Sequence, residues 1–514
     1  MNVNIADLTN ETLDQVKKAQ ASPLPDEVAK YFTQPGSATT GLQAYDLEAP
    51  SKKLVPVLTP LRNRIPRITN GFGTQANWKA VTAINSGNVR AGVSEGNRGG
   101  VISQTMAEYL AAYRGIGLEN YVTFEADMSS KNFEDLRALA VSQLLSSLMI
   151  QEERLDLGGN TSLALGTTPT PTVANSGTGG TIAAGTYDVI CVALGPQAYL
   201  DLAGANNGAT GQAFDATTAT LSHQIARTNA DGSSDTFGSG CAQKSAASSG
   251  TTTTGSSSSI TASVAAVRGA WGYAWYVGTA GNERLAALTT INSVLLTSIP
   301  GSGQLASALT ASDGSTSSLD YDGLFVQAAK SNSGAYYYTM ANGVAGTGTG
   351  LTADGAGGIA EFEAAFVSFW NKYRLSPDVI MVSSQELINI TKKIIGNGGA
   401  PLIRMNMDLK QIADGNMVSA GVVIGSYLNK VVNRMIPIVV HPNLAAGTVF
   451  FLTEQLPYPL NNVTNVIQKK LRRDYYQLEW PLKTRKYEYG VYADGVLQHY
   501  APFSMGIITN IGNA

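Results

Sequence analysis

Apolar and polar residues alternate over two adjoining segments near the end of the chain. In YYQLEWPLKTRKYEYGVY (475–492), the apolar positions are the even-numbered ones as far as Leu482. Beyond the basic run KTRK they are the odd-numbered ones from Tyr487 to Val491. A period of two residues is typical of half-buried strands. The change of phase predicts a bend or a change of partner between two strands.

A long helix is predicted between residues 132 and 157. Apolar residues recur at helical spacing from Phe133 to Leu155, Asn132 is a candidate N-cap, and the pair Gly158–Gly159 would end the helix. At 1.5 Å per residue, about 25 residues make a rod of roughly 37 Å. Such a rod is long for a globular domain.

Two shorter helices and several strands complete the pattern. An apolar stripe from Ile359 to Tyr373 predicts one helix, and Ser383 with Glu386 forms a capping box that predicts the other. Runs typical of strands are NWKAVTAIN, ENYVTFEADM, GTYDVICVALG, AWGYAWYVGTAG, SPDVIMV, GVVIGSYLNK, IPIVVHP and the closing YGVYADGVLQHYAPFSMGIITNI. Together they predict an α+β body.

Two segments are predicted to extend without a core of their own. LVPVLTPLRNRIPRI (54–68) contains Pro56, Pro60 and Pro66, which forbid a continuous helix and leave an extended arm. GVSEGNRGG (92–100) is typical of a glycine-rich excursion between two strands. We expect both segments to rest on another subunit.

The composition changes abruptly between residues 161 and 318. Threonine, serine, glycine and alanine dominate, and SSGTTTTGSSSSITAS alone would indicate a flexible linker. Glycine-bounded strand runs on both sides of it instead predict an inserted β-sandwich of the immunoglobulin type. Trp271, Tyr273, Trp275 and Val277 share one strand face; they could stack on a sugar, but a sandwich core is the favoured interpretation.

The charge is low and unevenly distributed. Only 14% of the residues are charged, the net charge is -3, and 54 residues are glycine, which fits a protein that covers much of its surface with neighbours. Residues 51–94 contain basic side chains and no acidic one, whereas 161–318 contain four basic and seven acidic residues. The basic segment either faces polyphosphate or acidic neighbours, or it is an ordinary solvated loop.

Residues that carry catalysis or bind cofactors are not found in a usable pattern. His223, His441 and His499 lie far apart without HExxH or CxxC, and no GxSxG or phosphate-binding loop occurs. Glu152 and Glu153 are adjacent on a helix and so point in different directions. We therefore predict no metal site, no cofactor and no enzyme activity.

The predicted location follows from two absences. The N-terminus lacks a signal-peptide pattern, and no apolar run reaches the roughly 18 residues that a bilayer span needs. Two cysteines, Cys191 and Cys241, are too few for a disulfide scaffold, and we expect both thiols to be buried and inert. A soluble protein made in a reducing cytoplasm is expected.

Several strings in a fixed order resemble the major capsid (head) proteins of tailed bacteriophages, whose fold is called the Hong Kong-97 fold. They are LVPVLTPLRNRIPRI, GVSEGNRGG, EERLDLGGN, YDGLFVQ, SPDVIMVSSQELINITKKI and KLRRDYYQLEWPLKTRKYEYGVYADGVLQHYAPFSMGIITNI. The resemblance covers roughly 1–160 and 319–514.

The resemblance implies a phage major capsid fold with the immunoglobulin-like sandwich inserted. The implied parts are an N-terminal arm (1–69), an extended loop (70–128), the spine helix of a peripheral domain (129–160), the insert (161–318), a peripheral strand region (319–357), an axial domain (358–459) and C-terminal strands of the peripheral domain (460–514). The strands of 475–492 would then place their aromatic residues under the spine helix and their charges toward neighbours.

The resemblance also implies a function and partners. The chain would assemble with itself as hexamers and pentamers of an icosahedral head enclosing double-stranded DNA. A scaffolding protein, a portal and a decoration protein are the other expected partners, no membrane is involved, and the insert would decorate the outer surface. The protein would belong to the virion and assemble in the bacterial host cytoplasm.

The residues expected at subunit interfaces or facing the genome are basic ones, which would hold DNA without reading its sequence. They are Lys52, Lys53, Arg62, Arg64, Arg67, Lys79, Arg90 and Arg98. No lysine–asparagine pair for a covalent cross-link between subunits can be matched. Two rival functions remain: an encapsulin-like compartment for protein cargo, and a carbohydrate-binding adhesin acting through residues 161–318.

Overall fold

The computed structural model describes residues 14, 15, 17, 51–84, 90–131, 133–204, 214–396 and 424–513. The chain divides into two compact units, residues 1–53 with 131–134 and residues 54–130 with 135–514. In the described part of the first unit, residues 14, 15 and 17 are helical, and the Ser51 N–H donates a hydrogen bond to Glu134.

The described part of the second unit contains seven α-helices. They are α1 (Pro60–Arg64), α2 (Phe124–Ser129), α3 (Leu136–Gly158), α4 (Pro196–Leu202), α5 (Leu324–Ala329), α6 (Ala360–Tyr373) and α7 (Ser384–Gly396). Short 3₁₀ turns occur at Ala306–Ala308 and Pro502–Ser504.

The strands of the same unit fall into four sheets and two separate hairpins. They are β1 (Arg67–Ile68), β2 (Gln75–Ile84), β3 (Gln104–Ala112), β4 (Arg114–Thr123), β5 (Thr172–Ser176), β6 (Gly185–Leu194), β7 (Gln224–Thr228), β8 (Ser234–Gly238), β9 (Thr251–Thr253), β10 (Ser259–Ser263), β11 (Gly272–Gly278), β12 (Arg284–Thr289), β13 (Ser293–Leu296), β14 (Tyr336–Thr339), β15 (Val379–Val382), β16 (Ser426–Asn429), β17 (Arg434–Val440), β18 (Val449–Leu452), β19 (Ile467–Glu479), β20 (Lys486–His499) and β21 (Gly506–Thr509).

The alternating segment at 475–492 forms parts of two antiparallel strands, β19 and β20. The chain reverses between them, and because Tyr476 pairs with Tyr492 and Gln477 with Val491, the even-numbered apolar positions of the first strand and the odd-numbered ones of the second lie on opposite faces of the sheet. The two strands lie inside a four-stranded sheet of order β1-β19-β20-β4. Tyr489 and Val491 pack against Ala140, Leu144 and Leu148 of α3, so the apolar positions of β20 lie under the long helix as expected. Those of 476–482 do not, because Tyr476 stacks on Tyr492 on the other face and Trp480 and Leu482 are exposed.

Helix α3 begins later than predicted. Its N-cap is Asp135, whose carboxylate accepts the N–H groups of Arg137 and Ala138. Asn132, the predicted cap, lies outside the described residues. The helix ends at Gly158 with Gly159 as its C-cap, so its 23 residues make a rod of roughly 34 Å.

The second large sheet has six strands in the order β14-β21-β18-β15-β17-β16. Helix α6 covers it with Phe362, Phe366 and Phe369, whose rings lie 5.4–6.2 Å from that of Phe451 on β18. The resemblance placed residues 319–357 and 460–514 with the peripheral domain, but β14 and β21 complete this sheet. β21 is buried throughout and lies between β18 and β14, whereas the half-buried β14 is the edge strand of the sheet.

Residues 161–318 contain two facing sheets, β13-β10-β5 and β12-β11-β6-β9. Trp275 and Val277 lie in the apolar layer between them, which confirms the sandwich-core interpretation of these side chains. The strand order differs from the immunoglobulin arrangement, in which the first and second strands share a sheet. The segment also contains helix α4 and the separate hairpin β7–β8, so it is not purely β.

The inserted segment shares a core with the rest of the unit. Trp271, predicted to face the same way as Trp275, instead packs edge-on against Phe325 of α5 at 5.1 Å. The Asn292 N–H donates to the Asn510 side chain at 2.8 Å, and Arg268 donates to the Ala329 carbonyl. The segment is therefore docked on the body along its side.

Candidate assembly surfaces and their internal anchor

Exposed large apolar side chains are concentrated in two segments, while others, such as Phe72 and Leu460, are scattered elsewhere. Those in the two segments are Leu54, Val55, Val57 and Leu58 in the residues before α1, and Val81, Ile84, Val93, Val101, Ile102, Met106 and Leu110 in the β2–β3 hairpin and its connection. Val101 is 90% exposed and Leu54 is 79% exposed. Apolar surface of this extent is typical of an interaction site. We call the first set the arm and the second the hairpin.

Among the described residues of the hairpin, those at one end are attached to the body. Ala76 is buried there, and the Trp78 indole N–H donates to the His499 carbonyl at 3.0 Å. Trp78 also stacks on Tyr109 at 5.7 Å. At this base the opposite face of the hairpin carries Leu110 and its cross-strand partner Asn77, both exposed, and residues 90–103 of the connection are exposed throughout.

The arm is fixed to the body where α1 begins. Leu61 is fully buried, and its N–H and that of Arg62 donate to the Glu153 carboxylate at 2.8 and 2.6 Å. A carboxylate at a helix N-terminus satisfies N–H groups that have no partner within the helix and is favoured by the helix dipole. Glu153 therefore takes the place of an N-cap side chain, although it lies on α3.

His441 supports the same carboxylate. Its ring N–H at Nε2 donates to Glu153 Oε1 at 2.7 Å, and its Nδ1 accepts the N–H of Asn443. Both side chains are fully buried.

Glu152, next along α3, binds a set of cations. Its carboxylate contacts Arg62 Nε at 3.0 Å, Arg67 Nη1 at 2.7 Å and Lys469 Nζ at 3.3 Å, and it accepts the Tyr475 hydroxyl. Burial alone would raise the pKa of Glu152, but Lys469 and Arg67, with the hydrogen bond from Tyr475, lower it to about 2. We call Glu152, Glu153 and their partners the arm anchor.

The predicted basic residues occupy different environments. Arg62 and Arg67 belong to the arm anchor, and Arg67 also contacts Asp474 at 2.5 Å. Arg64 binds Glu454 at 2.7 Å beside a pocket of about 150 Å³, and Lys79 lies 3.7 Å from Glu108. Lys52, Lys53, Arg90 and Arg98 are exposed, the first two in the first unit. A role at an interface or toward DNA stays a prediction for all eight.

Sequence reasoning missed the arm anchor, although a signal was present. Ala140, Leu144, Leu148, Glu152 and Asp156 follow one another at four-residue spacing, so two acids continue an apolar stripe of α3. On β19, buried Lys469 similarly takes its place between buried Ile467 and Leu471. Charges in phase with buried apolar positions predict buried ion pairs.

The remaining chemistry-bearing residues form no site. In the described ranges, no three His, Cys, Asp or Glu side chains are grouped as metal ligands, and no helix is long and apolar enough to cross a membrane. Cys191 and Cys241 are both buried, as predicted, and burial raises the pKa of each thiol, that of Cys241 to about 11.

No protein-family model matches the chain, and no curated protein matches it in sequence. Among solved structures, the capsid of cyanophage A-1(L) is 10% identical with a TM-score of 0.39, covering 91% of this chain and 97% of its own. The capsid of Myoviridae phage XM1 is 9% identical with a TM-score of 0.38 at the same coverage, and a chain of Mycobacterium phage Che8 is 7% identical with a TM-score of 0.37, covering 92% and 100%. The similarity is thus low in degree and spans nearly the whole chain.

Proposed function

We propose that this chain is the major capsid protein of a tailed bacteriophage, a structural subunit that builds the head around double-stranded DNA. The observation that carries the proposal is the hairpin, a long two-stranded projection attached at one end and apolar on exposed positions. A lone subunit would expose these side chains to water, whereas a neighbour in a shell would cover them. Its position between the arm and helix α3 is the one that the resemblance to head proteins implies.

The arm anchor supports the proposal because it determines where the arm leaves the body. Glu152 and Glu153 hold residues 61–67 with buried charge pairs and backbone hydrogen bonds. The exposed apolar residues 54–58 therefore start from a fixed point. A segment aimed in this way loses less conformational entropy when a neighbouring subunit binds it.

Contacts with DNA would be electrostatic. Six of the eight basic residues are exposed, namely Lys52, Lys53, Arg64, Lys79, Arg90 and Arg98, whereas Arg62 and Arg67 are half-buried against Glu152. We expect the six exposed residues to carry any genome contact, with the strong salt dependence of phosphate binding.

The adhesin alternative is disfavoured by the aromatic residues of 161–318. All eight, Tyr187, Tyr199, Phe214, Phe237, Trp271, Tyr273, Trp275 and Tyr276, are buried or half-buried. A sugar platform needs an exposed aromatic face, so the segment offers none in this state. The outward placement of the segment stays part of our proposal.

The content of particles distinguishes a phage head from a protein compartment. Particles that contain this chain would be purified from the producing host, treated with nuclease and extracted. We expect protected double-stranded DNA of defined length. Particles that hold a cargo protein and no protected DNA would contradict the proposal and favour the compartment.

A further inference from the structure

A lysine and an aspartate meet in a dry site beside the arm anchor. Lys469 Nζ lies 2.5 Å from Asp156 Oδ1, and the two side chains are 2% and 1% exposed. The residues are 313 positions apart, one on β19 and the other on α3. The contact therefore joins the long helix to the strand beneath it.

The Tyr321 hydroxyl bridges the two reacting groups. It donates to Asp156 Oδ1 at 2.7 Å and accepts from Lys469 Nζ, which also lies 4.0 Å from the centre of the Tyr321 ring. Glu152 Oε1 lies 3.3 Å from the same nitrogen on another side. One buried site thus brings together four groups in contact: the Lys469 amine, the Asp156 carboxyl group, the Tyr321 hydroxyl as a proton relay, and the negative charge of Glu152.

We propose that Lys469 and Asp156 form an intramolecular amide bond in the folded chain. One proton passes from Nζ to Oδ1 along their hydrogen bond, leaving a neutral amine and a carboxylic acid. Nζ then attacks Cγ. A second proton passes from Nζ to Tyr321 while Tyr321 gives its own to Oδ1, and Oδ1 leaves as water. The third proton remains on the amide nitrogen, so the reaction needs no further reagent.

The surroundings favour each step. Burial raises the pKa of Asp156 against the attraction of Lys469, and so promotes the neutral acid. The Glu152 carboxylate, held ionised by two guanidinium groups, stabilises the positive charge that the nitrogen carries after attack. Fixed contact between amine and carboxyl replaces the encounter of two molecules, which lowers the barrier to their reaction.

Mass spectrometry of the full chain tests the bond, whether or not the chain builds a capsid. After incubation of the folded protein at neutral pH, denatured chains should be lighter than the sequence by one water molecule. Trypsin does not cut after an acylated lysine, so a digest should contain residues 155–227 joined to residues 435–470. Asp–Gly sequences such as Asp231–Gly232 can also lose water, and the joined peptide distinguishes the amide from that reaction.

Two variants serve as controls. Lys469→Arg keeps a cation without an attacking amine and should show the full mass, and Tyr321→Phe should slow the loss of water at least tenfold. A wild-type chain of unmodified mass, with 435–469 recovered as a separate linear peptide, would overturn the proposal.

Discussion

At the scale of single residues, the most informative groups are buried acids that differ in their partners. Glu152 faces three cations, whereas Glu386 is fully buried with no cation in contact among the residues that the structure describes. Glu386 Oε1 accepts the Gly447 N–H and the Asn389 amide, and Oε2 has no partner in the described part of the chain. The helix α7 was predicted from a capping box, and Ser383 does cap the Glu386 N–H. The Glu386 carboxylate, however, binds the N–H of Gly447 in a distant loop and not the N-terminus of its own helix.

Replacing Glu386 by glutamine should stabilise the protein above neutral pH. Burial raises the pKa of Glu386 from 4.5 to about 7. Between these values the folded chain keeps a proton that the unfolded chain releases, so the free energy of unfolding falls as pH rises. At about 1.4 kcal/mol per pKa unit, Glu386→Gln should gain on the order of 1–3 kcal/mol at about pH 8 and nothing near pH 4.

Denaturant unfolding at the two pH values measures this difference. Glu95→Gln, in the exposed loop of the hairpin, is the matched control and should change neither value. Equal destabilisation by Glu386→Gln at both pH values would show that the carboxylate is needed for the Gly447 contact itself.

At the scale of elements, the helices and most strands follow from their local pattern. Period and capping predicted α3, α6, α7 and the strands β19 and β20, because each buries one face along a regular repeat. The pairing of β14 and β21 with the six-stranded sheet could not be predicted in this way. Their order depends on contacts between residues about 170 positions apart, on which local alternation has no bearing.

Removing Glu152 should destabilise the body and release the arm. Glu152→Ala removes the carboxylate that Arg62 and Arg67 share, and breaking a buried pair in this way costs about 3–5 kcal/mol. Glu125→Ala, which removes the exposed pair with Arg485, should cost less than about 1 kcal/mol.

Denaturant unfolding compares the two variants, and limited trypsin digestion reports on the arm. Cleavage after Arg62 and Arg67 should become faster in Glu152→Ala before the body unfolds. Unchanged cleavage together with unchanged stability would mean that the arm is held by its apolar contacts at Leu61 and Ile65.

A charge on the exposed face of the hairpin should block assembly. Leu110 is 68% exposed and directly opposite Asn77 on the neighbouring strand. In our account a neighbouring subunit covers Leu110, so Leu110→Asp should abolish particles while leaving the unassembled chain folded. Asn77→Asp adds the same charge at the opposite position without removing an apolar side chain. Its assembly should be less severely impaired than that of Leu110→Asp.

Sedimentation separates assembled from unassembled chains, and circular dichroism checks the fold of each variant. A normal particle yield from Leu110→Asp would show that this face of the hairpin is not part of the interface between subunits.

At the scale of the whole molecule, the composition marks a change at residue 160 but does not show how closely residues 161–318 pack on the rest of the chain. The two ends of this segment lie together, because the Ser317 N–H donates to the Asn160 carbonyl at 2.8 Å. Nothing local to Trp271 showed that it packs into the body against Phe325. Tertiary packing determines the position of such a side chain, which packs into a core other than that of its own sheet.

Electron microscopy of the purified chain, expressed alone and with the genes that flank its own, tests the central claim most directly. Our account predicts closed shells, or rings of five and six subunits, in which the hairpin and the arm lie against neighbouring copies. A monodisperse monomer under every condition, scaffolding protein included, would contradict it.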